Sequence, residues 1–98
     1  MEEFNKLING ETPTLVDFHA TWCGPCKMQG PILEQLKQAV GDKANIIKID
    51  IDRNPDLANH YRVQSVPTLM IFKGGELKWR ASGLHQLADL QQHLAAVE

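Results

Sequence analysis

The sequence predicts one α/β domain, a mixed four-stranded sheet with helices on both faces. Three observations carry this. Apolar residues at helical spacing alternate with short strand-like runs. A long helical segment separates the first two strand-like runs, so those strands run parallel through a right-handed crossover. A Gly-Gly turn then joins two further runs into an antiparallel hairpin. The chain has 98 residues, which suits a single domain over residues 1–98 and leaves no room for a second.

Each element has a local reason. Phe4, Leu7 and Ile8 fit one face of a short first helix, stopped by Asn9-Gly10. Leu15 to Ala20 is an apolar strand with Asp17 inside it. A longer helix starts at about Cys23. Met28, Ile32, Leu36 and Val40 recur at every fourth position as its expected buried stripe, and Gly41 stops it. Gly30-Pro31 inside this helix predicts a kink, because proline removes a backbone bond. From 46 to 51, Ile47, Ile49 and Ile51 alternate with Lys48 and Asp50, a strand with one wetter face. Asn54-Pro55-Asp56 starts a helix running to about Arg62, with Asn54 as its cap. Thr68 to Phe72 is a second apolar strand, and Lys73-Gly74-Gly75-Glu76 is its hairpin turn. Leu77, Trp79 and Ala81 alternate with Lys78 and Arg80 on the return strand. Leu84, Leu87, Leu90, Leu94 and Val97 line one side of a last helix over about 84–97.

Hydrophobic residues make up 43% of the chain, enough to build a core at this size. The formal net charge is -2 and neither sign runs in blocks, which speaks against a nucleic-acid or membrane surface. No apolar stretch approaches the roughly 20 residues of a membrane span. The acidic start, Met1-Glu2-Glu3, has no apolar run behind it and does not read as a secretory signal, so the expected location is the cytoplasm.

The chemistry concentrates in Ala20-Thr21-Trp22-Cys23-Gly24-Pro25-Cys26-Lys27, between a strand and a helix. The chain has only two cysteines, three positions apart, too close to staple distant elements. They serve redox chemistry or a metal. Cys23 falls at the helix N-terminus, where free N–H groups and the helix dipole stabilise a thiolate, the nucleophile of disulfide exchange. Cys26 lies about one turn on, within reach of Cys23. Pro25 lacks an N–H that the first turn could not have used, and it stiffens the bend. Two thiolates are half of a zinc site. However, His60, His85 and His93 fall on predicted helices without ligand spacing to the cysteines, and are expected in solvent.

The string Trp22-Cys23-Gly24-Pro25-Cys26-Lys27 closely resembles the thioredoxin family motif. Further matches run from Leu15 to the end: Val16-Asp17-Phe18, Pro31, Lys48, Val66-Pro67-Thr68, the Gly-Gly hairpin and Gly83. The resemblance implies a thioredoxin-like fold and a protein-disulfide reductase. Cys23 attacks a substrate disulfide, Cys26 resolves the mixed disulfide, and a flavoprotein thioredoxin reductase fed by NADPH restores the dithiol. No cofactor is bound by the domain itself. The same resemblance makes Asp17 a buried carboxylate that accepts a proton from Cys26, with Lys48 tuning it; the plain alternatives are a surface Asp and a solvated Lys. It makes Val66-Pro67 a cis bond facing the dithiol, where the ordinary expectation at a strand entry is trans. Trp22, Gly24, Pro25, Val66, Pro67 and Gly83 would form an apolar docking patch on which an extended substrate pairs with the Val66 backbone. Simple core packing is the other reading of Trp22.

Two departures stand out. His19 occupies a position where the family usually carries a bulky aromatic, and either adds a titrating group near the dithiol or is a tolerated replacement. Family members also commonly begin with a strand ahead of the first helix. Without it, the strand over 46–51 is an exposed sheet edge. A monomer is expected, with weak edge pairing as the alternative. The functional alternatives are an oxidant or isomerase on the same fold, and a binding module without turnover.

Overall fold

The computed structural model describes residues 1–98. Helix α1 (Glu2–Ile8) precedes strand β1 (Thr14–His19) and the long helix α2 (Gly24–Val40). A 3₁₀ turn over Gly41–Lys43 leads into β2 (Asn45–Asp50), then α3 (Pro55–His60), the hairpin β3 (Thr68–Lys73) and β4 (Glu76–Ser82), and finally α4 (Leu87–Ala95). The sheet order is β2-β1-β3-β4, with β1 and β2 parallel and the other pairs antiparallel. This is the mixed four-stranded sheet that the pattern predicts, and β2 is one of its edges.

Alternation along β1 divides the core. Leu15 joins Leu33, Leu36, Leu69, Ile71, Leu90 and Leu94 on the α2/α4 face. Val16 and Phe18 join Phe4, Ile8, Leu57, Met70 and Phe72 on the α1/α3 face. Asp17 shares its side of the strand with Leu15 and so points beneath α2.

Several local expectations are corrected. The buried stripe of α2 is Cys26, Gln29, Leu33 and Leu36, whereas Met28 is 61% exposed. A strict four-residue period drifts about 40° per step on a helix of 3.6 residues per turn, so the outer members leave the buried face. In α1, Phe4 and Ile8 are buried and Leu7 is exposed. Helix α3 ends at His60, short of Arg62, which takes a positive φ of 53° while Arg80 donates to the carbonyls of Tyr61 and Arg62. Asn54 does not cap α3 through its side chain; its amide donates back to the Asp50 carbonyl at 3.0 Å. Helix α4 starts at Leu87 rather than Leu84, since the backbone of Gly83 and His85 is held by other partners described below. A register shift opposite Ile71 and Phe72 pairs Trp79 with Ile71 but Leu77 with Phe72. That bulge places Leu77 and Trp79 on opposite faces, where simple alternation puts them together.

Candidate active site

Cys23 and Cys26 form a disulfide with Cα atoms 5.3 Å apart. Cys23 is the N-cap of α2, with extended backbone at φ -90° and ψ 117°. Its sulfur accepts a hydrogen bond from the Cys26 backbone N–H at 3.1 Å. One of the helix's orphan donors is thereby satisfied by the sulfur itself, the interaction that favours a thiolate in the reduced protein. Both sulfur-bearing residues are nearly covered, Cys23 at 4% and Cys26 at 7% exposure, and they pack with Ala20, Ile51 and Val66.

The rim of the site differs sharply in exposure. Trp22 is 67% exposed, which rules out core packing for it. Its indole Nε1 donates to Asp52 Oδ2 at 2.9 Å. Gly24 and Pro25 are exposed beside it. The Val66–Pro67 bond is cis. The Val66 carbonyl oxygen lies 3.6 Å from Cys23 Sγ. Gly83, at φ +88°, donates its N–H to the Pro67 carbonyl at 2.8 Å. Trp22, Gly24 and Pro25 thus adjoin the disulfide along the chain and Val66 faces Cys23, while Pro67 is buried behind Val66 and holds Gly83; none of the surface cavities is lined by either cysteine.

Asp17 lies on β1, on the α2 side of the sheet, paired in the ladders with Lys48 and Leu69. It has no exposed surface, and neither carboxylate oxygen has a hydrogen-bond partner. Burial pushes its pKa up from 3.8 to about 6, against the opposing pull of Lys48. Lys48 is the register partner of Asp17 in the β1–β2 ladder. Its ammonium lies beside α2, 3.7 Å from where a Cβ on Gly30 would stand. A surface Asp17 is thus excluded, whereas Lys48 is an exposed strand lysine whose charge is near enough to lower the Asp17 pKa. His19 is half-buried opposite Asp50. Burial and Lys48 lower its pKa from 6.5, while Asp50 works the other way.

Some residues at the site were not legible in the sequence. Asp52 meets Trp22 across 30 positions, a distance that no local pattern reveals. Gln29 sits fully buried one turn after Cys26. His85 and His93 are not free in solvent: they flank Trp79, His85 edge-on at 5.4 Å and His93 stacked at 4.2 Å between ring centres. No three His, Cys, Asp or Glu side chains gather into a metal-ligand set.

With this geometry in place, the comparisons with known proteins agree. The thioredoxin family model matches residues 1–96. A thioredoxin-like protein of Synechocystis sp. is 47% identical over 92 residues, covering 93% of this chain and 88% of the relative. The thioredoxin of Alicyclobacillus acidocaldarius is 40% identical over 94 residues, covering 96% and 90%. Among solved structures, chloroplastic thioredoxin z superposes with a TM-score of 0.89 at 34% identity, covering 98% of this chain and 88% of that one. The paired sulfurs capping α2 and these matches lead to one conclusion: the chain belongs to the thioredoxin family and is a thiol–disulfide oxidoreductase.

Proposed function

We propose that the protein is a general protein-disulfide reductase of the cytoplasm. The observation that carries this reading is the Cys23–Cys26 pair at the N-terminus of α2, beside the Val66 carbonyl and the exposed Trp22. The Cys23 thiolate attacks one sulfur of a substrate disulfide, that S–S bond breaks, and the first substrate thiolate leaves. Asp17 takes the proton of Cys26, whose thiolate then attacks the Cys23 sulfur of the mixed disulfide. The second substrate thiolate leaves, and two electrons have passed from the dithiol to the substrate. Burial raises the proton affinity of Asp17 and Lys48 tempers it. The substrate docks as an extended segment on Trp22, Gly24, Pro25, Val66, Pro67 and Gly83, pairing with the Val66 backbone.

A thioredoxin reductase, drawing on NADPH, returns the electrons, so the domain carries no cofactor of its own. The protein acts as a monomer, with Lys48 and Asp50 on the β2 edge discouraging strand pairing. Equilibration of the pair with glutathione buffers of known ratio tests the direction of electron flow. A potential below about -260 mV supports a reductase, and one near or above about -200 mV makes the protein an oxidant or isomerase instead.

A further inference from the structure

We propose that Gln29 and His85 are positioning residues that lock the Gly83 side of the docking surface to the active-site helix. Gln29 is a polar side chain with no exposed surface, on the buried face of α2 one turn beyond Cys26. Burying an amide is costly unless both its ends are satisfied. Here both are, and by a single residue. Nε2 donates to the His85 carbonyl at 3.0 Å, and Oε1 accepts the His85 backbone N–H at 2.9 Å. The pairing imitates one rung of a β ladder, so it fixes the extended backbone before α4 in both position and rotation.

The link then runs to the surface. The His85 ring nitrogen Nδ1 lies 2.8 Å from the Gly83 carbonyl. A carbonyl only accepts, so Nδ1 carries the proton. Gly83 in turn donates its N–H to Pro67 at 2.8 Å. One chain of hydrogen bonds thus joins α2, just after the resolving cysteine, to Gly83 and the Val66-Pro67 segment. Trp79, edge-on to the His85 ring, keeps that ring in place. The link acts on docking and not on the sulfur chemistry, and it rests on the docking role proposed above for Gly83.

Gln29→Met is the decisive variant, because methionine matches glutamine in length and keeps the packing while removing both hydrogen bonds. Turnover on insulin, a disulfide-bonded polypeptide, is read with dithiothreitol as electron source, and the small disulfide dithiobis(nitrobenzoate) is mixed in stopped flow with pre-reduced protein freed of dithiothreitol. The expected result is a KM for insulin raised about 10-fold, with kcat and the rate on the small disulfide unchanged. Hydrogen exchange of the Gly83 amide should quicken by about the same factor. An unchanged KM or an unchanged Gly83 exchange rate overturns the proposal, as does an equal loss on the small disulfide. If Gln29→Met does not fold, His85→Leu cuts the same link at the ring and is judged by the same readouts. A native chain inactive on insulin would refute the reductase reading, and Gly83 exchange alone would then decide the link.

Discussion

Asp17 and Lys48 stand opposite each other in the parallel β1–β2 ladder, one fully buried without a hydrogen-bond partner, the other with its ammonium against α2. An ionised carboxylate in such a place is held at a cost. That cost is measurable, and the ammonium reduces it.

The stability of the protein should therefore fall as Asp17 ionises. The folded-state pKa is about 6, above the ordinary 3.8, so the folded state holds the proton more tightly than the unfolded chain. The contribution from the neutral carboxyl is complete below about pH 4 and is lost as pH rises through about 6. Asp17→Asn, which cannot ionise, should match the native protein at pH 4 and exceed it at pH 7.5 by up to about 3 kcal/mol. Urea unfolding at the two pH values measures this; equal stabilities at pH 7.5 would mean that the carboxylate is better solvated than its burial indicates.

The same substitution should slow turnover. On the mechanism proposed above the amide that replaces the carboxylate cannot take the Cys26 proton, its release falls to water, and general-base effects of this type are worth about 100-fold or more. In the native protein the acid limb of the rate should have its midpoint near pH 6. Stopped-flow reduction of insulin across pH 5–9 checks both points, and survival of that limb in Asp17→Asn would remove Asp17 from the mechanism.

Lys48→Met should move the limb upward. Lys48 lowers the Asp17 pKa, so without it burial acts unopposed. A midpoint shifted to lower pH, or not at all, would contradict the assignment.

His19 should be silent at neutral pH. Its pKa lies below 6.5 because burial and Lys48 both disfavour the imidazolium. His19→Phe should leave the rate at pH 7.5 unchanged and alter the profile only on the acid side. A profile identical to that of the native protein at every pH would make His19 a tolerated replacement and nothing more.

Cys26→Ser should trap substrates as mixed disulfides on Cys23, since the resolving attack is lost. Non-reducing electrophoresis after incubation with oxidised proteins shows the adducts. Covalent capture of many proteins is expected of a general reductase, and noncovalent capture of one partner would instead indicate a binding module.

The sequence by itself determined the sheet, the alternation of helices and strands, and the dithiol at a strand-to-helix turn. These depend on local periodicity, turn chemistry and a short contiguous motif, all of which are visible within a few residues. Its local patterns misplaced the α2 stripe, the face of Leu77 and the ends of α3 and α4, since burial there depends on neighbours from distant segments. Only the tertiary structure decided the surroundings of the site. Trp22 to Asp52, Asp17 to Lys48 and Gln29 to His85 are contacts across 30, 31 and 56 positions. Hydrogen bonding and desolvation act through space, so the proton affinity of Asp17 and the anchoring of Gly83 exist only once the sheet and helices have closed around them.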